Sequence, residues 1–345
     1  LLDENGEFLD SDQGKLIVDF SENRNFKFSS VNDLGELTKI NNSMSQHIDS
    51  VLSLNLVNAD NIKSRKLKIV VDAVNSSGGI IVPEFLKELN VEVIKIHCEP
   101  NGNFPHNPEP LKKNLTDLSK KVLESNADMG IAVDPDVDRL VFMCENGELF
   151  GEENTLVACS DYVLSKTPGN TVSNLSSSRG LNDVTFKYDK THYYSAVGEV
   201  NVVKKMKEVN AVIGGEGNGG IIVPELHYGR DALVGVALFL SHLAEMDMKI
   251  SHLRSKYPTY QMSKNKAELN PEMDVDFVLA EIEKKYSKHP INTIDGVKIE
   301  FDGDWVHLRK SNTEPIIRIY AESTSLTTAE NLTKKILQDI GDIIE

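Results

Sequence analysis

From residue 68 onward, short apolar runs alternate with longer segments whose apolar positions recur at helical spacing. The runs at 69–71, 91–98 and Met129–Val133 read as buried strands, and 82–89 and 115–124 between them as helices. Strands alternating with helices predict a parallel sheet with helices packed on it. The alternation then restarts, with strands at 171–175, 192–197 and 211–213 and helices at 181–187 and 201–209. A strongly apolar helix, Ala232–Met246, closes that unit, with Asp231 placed as its N-terminal cap. After Tyr257-Pro258 the order changes to a helix, Val275–Lys285, strands at 297–301, 305–308 and 316–321, and a helix at 328–344. Residues 1 to 45 are polar and only loosely periodic, apart from a hairpin turn at Asn5-Gly6. The predicted fold class is α/β: tandem mixed α/β domains with parallel-type sheets, plus a smaller C-terminal α+β domain. The expected divisions are 1–45, the remnant of an N-terminal domain, then 46–152, 153–257 and 258–345.

Length changes this picture little, since 345 residues are enough for two or three domains with sizeable cores. Charge changes it more. A net charge of −16 leaves no basic excess to neutralise a nucleic-acid backbone, so general nucleic-acid binding is excluded. Small phosphorylated molecules remain open as partners, because a local basic cluster overrides the global field. Cys98, Cys144 and Cys159 are odd in number and set in apolar contexts, which reads as reduced core cysteines in a cytoplasmic protein. The longest apolar stretch, 232–243, falls short of the ~18 residues a membrane span needs, and no signal peptide is expected. The chain opens at Leu1 rather than methionine, so an upstream segment is expected in the parent protein.

The richest chemistry lies in Asp134-Pro135-Asp136-Val137-Asp138-Arg139, directly after the run Met129–Val133. Three carboxylates that close repel one another unless a cation neutralises them. All-oxygen ligands suit Mg²⁺ or Ca²⁺; the bland alternative is a solvated acidic turn. Glu145 falls at position 12 of a would-be EF-hand, but Arg139 stands where that loop needs glycine, and the flanks read as strands. Asn146-Gly147 supplies a hairpin turn.

A second loop, Gly214-Gly215-Glu216-Gly217-Asn218-Gly219-Gly220, satisfies the spacing of a dinucleotide fingerprint. The following Ile221-Ile222-Val223-Pro224 is no helix, so that reading fails. What remains is a plain glycine turn, or a tight turn that presents Glu216 and Asn218 to sugar hydroxyls. Further on, Arg309-Lys310-Ser311-Asn312-Thr313-Glu314-Pro315, with Arg318 beyond, concentrates guanidinium forks and hydroxyls in an acidic chain. That set matches a phosphate, or else forms a structural salt-bridge loop. Arg179 and the stretch Tyr228-Gly229-Arg230-Asp231 are candidate substrate-side or interdomain contacts. His106-Asn107-Pro108 reads as a rigid turn, and the nine histidines nowhere show metal-ligand spacing.

Taken in order and at these separations, the Asp134, Gly215 and Arg309 motifs resemble those of the α-D-phosphohexomutase superfamily, over nearly the whole chain. The resemblance implies a four-domain enzyme that interconverts sugar 1-phosphates and 6-phosphates through a phosphoserine and a bisphosphorylated intermediate. It implies that Asp134, Asp136 and Asp138 bind Mg²⁺ and that Arg139 faces the phosphoserine. Glu216 and Asn218 would hold sugar hydroxyls, while Arg309, Ser311, Asn312, Thr313 and Arg318 grip the phosphate not being transferred, with Arg179 also on the substrate side. The family's sugar loop usually ends Ser-Gly-His; here Asn218 and Gly220 replace the serine and histidine, and His227 is the nearest substitute. This form of the loop resembles the branch acting on phosphoglucosamine, phosphomannose or both. The family's catalytic loop, Thr-Ala-Ser-His-Asn-Pro, occurs nowhere in the sequence. The chain is therefore expected to be a truncated form, inactive alone and with a weakened metal site; a monomer or a homodimer would be compatible. The alternatives are a non-catalytic sugar-phosphate-binding protein on the same scaffold and, less well supported, a phosphatase with an aspartate nucleophile.

Overall fold

The computed structural model describes residues 1–268, 273–311 and 316–344. They form two compact units, Leu1–Leu149 with Gly220–Asp247, and Phe150–Gly219 with the residues from Met248 onward.

The first unit is built on β1 (Lys68–Asp72), β2 (Glu92–Ile96), β3 (Met129–Val133) and β4 (Leu140–Cys144). Their order is β2-β1-β3-β4, with β1 parallel to both neighbours and β3 antiparallel to β4. Every residue of β3 and β4 is buried, as the unbroken apolar runs require. The helix Gly78–Glu88 begins earlier than its apolar spacing indicates. A Cβ on Gly79 would lie 2.4 Å from the Cys98 carbonyl oxygen, so only glycine lets that helix start so close to the chain leaving β2. The helix Ala232–Met246 also belongs here, rather than closing the second unit as the alternation of elements indicates. Asp231 caps it, accepting from the Leu233 and Val234 N–H groups, and Phe239 stacks on Phe142 with ring centroids 3.8 Å apart.

The second unit contains the parallel trio β5 (Asn170–Asn174), β6 (His192–Ser195) and β7 (Ala211–Glu216), with β5 between the other two. The short β8 (Gly220–Ile222) opens the return of the chain to the first unit. The C-terminal part is an antiparallel sheet of β9 (Gln261–Glu268), β10 (Ile291–Asn292), β11 (Val297–Glu300), β12 (Trp305–Lys310) and β13 (Ile316–Ser323), in the order β10-β11-β12-β13-β9. The helices Val275–Lys285 and Leu326–Ile344 share one apolar core with that sheet, including Ile282, Ile299, Ile319 and Ile336. The predicted class of tandem α/β domains followed by an α+β domain is the architecture observed. Several helices close on asparagine or aspartate in the left-handed region, as at Asn126, Asn210 and Asp247.

Among the elements that escaped the apolar pattern, three show why. The polar N-terminal stretch contains the helix Ser11–Glu22, held by a capping box in which Asp10 and Gln13 bond each other's backbone N–H. It buries none of its residues, so no apolar face marked it. The helix Glu152–Lys166 is buried on nearly all sides and shows no polar stripe. β9 is an edge strand carrying Lys264 and Lys266, a composition that reads as a loop.

Candidate functional site

The aspartate loop joins β3 to β4, at the carboxyl end of a strand in a sheet whose order reverses beside β1; open α/β sheets bind ligands at such ends. Val137 sits at φ +61°, a strained value for a β-branched residue, and is tied on both sides: its N–H donates to the Asp134 carbonyl, and its own carbonyl accepts from Ala232. The buried Asp134 accepts through Oδ1 from the backbone N–H groups of Asp138 (3.1 Å) and Arg139 (3.0 Å). Arg139 Nε stands 3.4 Å from Asp134 and 3.7 Å from Asp138, within ion-pair range but with no hydrogen-bond partner. Asp138 Oδ2 takes a short hydrogen bond from Arg230, a contact within the candidate region Tyr228–Asp231, while its Oδ1 is buried and unbonded.

Carboxylate oxygens of Asp134, Asp136 and Asp138 lie within 4.8 Å of one another. Burial first, and then the charge of Asp138, push Asp134 up to about 7. An orphaned buried oxygen and a carboxyl driven toward protonation are what a cation site looks like before charge compensation. The donor set fits a hard divalent ion, since every available atom is oxygen.

In the glycine loop, β7 runs through Gly214 and Gly215 to Glu216 itself, so the turn proper is only residues 217–219. Glu216 is buried, and its Oε1 accepts from Asn174 Nδ2 (2.7 Å) and from the Gly198 N–H (3.2 Å). Asn174 in turn orders the loop after β5, its Oδ1 accepting from the Ser176 N–H and the Ser177 hydroxyl. Asn218 is half-buried beside this network. A Cβ on Gly217 would lie 1.9 Å from Glu153 Oε2, so the glycine is required by a carboxyl that sequence reasoning did not single out. Glu153 accepts from the Ser178 N–H at 2.9 Å, and burial pushes it up to about 8, although Lys264 stands 3.9 Å away. It lies on the helix that showed no stripe, so nothing in the pattern marked it.

Arg309 and Arg318 face each other as partners in the β12/β13 register. Like charges directly opposite are unfavourable unless an anion or acid intervenes; Arg309 has Asp295 at 3.8 Å. Ser311 is buried, with its N–H on the Ile316 carbonyl. Asn312 and Thr313 lie outside the described residues. Arg179 bonds Glu300 at 2.8 Å through its guanidinium and Glu322 through its N–H.

His227 is placed in the first unit rather than with the glycine loop's Glu216. Its Nε2 lies 3.1 Å from Asp231 Oδ2, which also holds His47 at 2.8 Å. That hydrogen bond raises His47 above its usual range. A second carboxylate, Asp72, likewise gathers His97 and His106. The turn at His106 therefore does more than bend the chain, and histidines without ligand spacing in the sequence do converge in space.

Three sequence profiles match the chain in succession between residues 45 and 338: phosphoglucomutase/phosphomannomutase alpha/beta/alpha domain II over residues 45–147, alpha/beta/alpha domain III over 152–260 and the C-terminal domain over 265–338. A phosphoglucomutase/phosphomannomutase of Thermococcus kodakarensis is 34% identical over 329 residues, covering 94% of this chain and 71% of that protein. A probable phosphoglucosamine mutase of Methanopyrus kandleri is 32% identical, over 91% of this chain and 69% of its own length. In fold, the chain resembles the crystal structure of a phosphoglucomutase/phosphomannomutase family protein from Burkholderia thailandensis, with a TM-score of 0.82 at 24% identity over 96% of this chain and 71% of that one. The chain belongs to the phosphoglucomutase/phosphomannomutase family of phosphohexomutase enzymes, within the α-D-phosphohexomutase superfamily.

Proposed function

We propose that this chain carries the metal, sugar and phosphate sites of a Mg²⁺-dependent mutase acting on glucosamine or mannose phosphates, and that it does not turn over substrate by itself. The observation that carries the metal assignment is the unbonded, buried Asp138 Oδ1 beside Asp134 and Asp136. Mg²⁺ held by these three aspartates would neutralise charge on the phosphoryl group in transfer. Arg139, already among the aspartates, brings a guanidinium to the same group and limits their mutual repulsion.

The remaining residues position substrate. Glu216, with its Oε1 fixed by Asn174 and Gly198, and Asn218 present acceptors to sugar hydroxyls without needing to reorganise. Arg309 and Arg318, opposed across two strands, with Ser311, Asn312 and Thr313, grip the phosphate not being transferred. Arg179 stands on the substrate side of the same unit, aimed by Glu300. Remote phosphate binding of this kind supplies energy and orientation to the reacting end. The name of the Methanopyrus kandleri relative supports glucosamine phosphate as the first substrate to try.

The divisions 1–45, 46–152, 153–257 and 258–345 are proposed as four domains, in line with the profile matches at 45–147, 152–260 and 265–338. Among the described residues no helix is long and apolar enough to cross a membrane, and the three free cysteines support a cytoplasmic setting. The absence of a Thr-Ala-Ser-His-Asn-Pro loop supports inactivity of the chain alone.

The test is calorimetric binding of glucosamine 6-phosphate with Mg²⁺, alongside mutase assays of this chain and of its parent protein. Binding that weakens in Arg309→Ala and Arg318→Ala, with turnover in the parent only, is expected. Turnover by the 345-residue chain would refute the inactivity, and a parent inactive on glucosamine, mannose and glucose phosphates would refute the function.

A further inference from the structure

Three ligand atoms converge at the carboxyl ends of β1 and β2. Asp72 ends β1 and is buried; His97 follows β2; His106 comes from the loop beyond. His97 Nδ1 and His106 Nε2 each lie 3.1 Å from the same oxygen, Asp72 Oδ2, and the three atoms sit within 4.8 Å of one another. Both imidazoles remain partly exposed, so an ion can enter.

The protons decide how to read this. His106 Nδ1 lies 2.8 Å from the Asn107 carbonyl, which can only accept, so Nδ1 carries hydrogen. In a neutral ring Nε2 is then a bare lone pair aimed at a carboxylate oxygen. Two lone pairs in contact repel, unless a second proton or a metal ion lies between them. His97 also turns Nδ1 to Asp72, with Nε2 at 3.7 Å from the exposed carboxylate of Asp117, beyond hydrogen-bond reach. Asp72 Oδ1 is fixed by the Val74 N–H at 3.1 Å. His106 and Asp72 thus each have a hydrogen-bonded outer partner on the far side, the arrangement that orients histidine and carboxylate ligands on a metal. The His47–Asp231–His227 cluster differs, because both rings meet Asp231 through Nε2 and neutral rings can donate there with no conflict.

We propose that Asp72, His97 and His106 form a second metal site, separate from the aspartate loop and selective for a borderline first-row ion such as Zn²⁺. Two imidazoles and one carboxylate, with a coordination position left toward solvent, favour Zn²⁺ or Co²⁺ over Mg²⁺. The ion would tie the ends of β1 and β2 to the loop carrying His106, where Val74, Asn75 and His97 all adopt positive φ.

The test uses the whole chain stripped of metal and held in excess Mg²⁺ to saturate the aspartate loop, then titrated with Co²⁺. One equivalent taken up with visible ligand-field bands is expected. His106→Gln should weaken uptake at least ~10-fold, since even outer partners of metal ligands cost that much. His227→Gln should leave uptake unchanged. X-ray absorption of the Zn²⁺-loaded wild-type chain should show two imidazole rings and otherwise oxygen, and this readout stands even if the variant fails to fold. The proposal is overturned if uptake survives in His106→Gln but is lost in His227→Gln, or if the bound zinc has no imidazole shell. It is equally overturned if no ion binds and ¹⁵N shifts show His106 carrying both protons.

Discussion

The aspartate loop of the first unit and the glycine loop of the second each lie against a carboxyl that is driven toward protonation, the buried Asp134 and the half-buried Glu153, yet they relieve it differently. Asp134 stands at about 7 beside two further carboxylates, and one oxygen of Asp138 has no hydrogen-bond partner. Glu153 stands at about 8 beneath Gly217, with a backbone N–H and a lysine for company. An incoming cation is the natural remedy at the first; a bound proton suffices at the second. In the proposed reading, one loop receives a cation through its carboxylates. The other spends Glu153 on holding a glycine turn in shape, and in that reading it is Glu216 and Asn218 that meet the sugar.

The largest effect expected from this contrast is a pH dependence set by Glu153. Its affinity for a proton rises from an ordinary value of about 4.3 to about 8 in the folded chain, chiefly through burial. Between those limits the folded state keeps a proton the unfolded chain has lost, so stability falls as pH rises. The slope contributed approaches ~1.4 kcal/mol per pH unit across that window and vanishes above and below it. Urea unfolding from pH 5 to pH 9 should show it, and Glu153→Gln should flatten the profile. A profile unchanged by that substitution would mean Glu153 ionises normally.

Next in size is the close approach at Gly217. A methyl group there must displace a carboxyl pinned by Ser178, and overpacking of this kind costs ~1–3 kcal/mol. Gly217→Ala should lower the urea midpoint accordingly. Shortening the obstacle in Glu153→Ala should restore much of the loss in the double variant, an interaction a mutant cycle reads directly. Additive effects would place the carboxyl elsewhere. Removing the donor to Glu216 has an effect of the same order. Asn174→Ala leaves a buried carboxylate short of its 2.7 Å partner, at a cost of ~1.5–3 kcal/mol for a bond to a charged group, again seen in urea unfolding.

Legibility in the sequence follows how local each arrangement is. The strands Met129–Val133 and Leu140–Cys144 and the helices Ala232–Met246 and Val275–Lys285 emerged with the bounds the periodicity indicates, because burial imposes the pattern residue by residue. The aspartate triplet was visible because its three carboxylates occupy one six-residue loop. Glu153 beneath Gly217 was not, since contact between them depends on how a uniformly buried helix packs in its unit. The pairing of Arg309 with Arg318 required the register of two strands, which residue types alone do not specify. His97 and His106 were hidden for the same reason as Glu153: His97 follows β2 and His106 lies in the loop beyond it, and only the β2-β1 pairing brings them to Asp72.

The smallest effect on the fold, and the sharpest on function, is expected at Asp136. It is the exposed member of its cluster, so Asp136→Asn removes no buried contact and should shift unfolding by less than ~0.5 kcal/mol. Its carboxylate nonetheless supplies one of three anionic ligands. Losing it should weaken Mg²⁺ binding by ~10-fold or more, measured by calorimetry on the metal-free chain, since direct ligands matter at least as much as their outer partners. The two readouts separate the loops cleanly: substitutions around Glu216 should move stability, whereas this one should move metal affinity alone. Equal losses in both would mean that the aspartate loop, too, is held together by its own carboxylates rather than kept open for a cation.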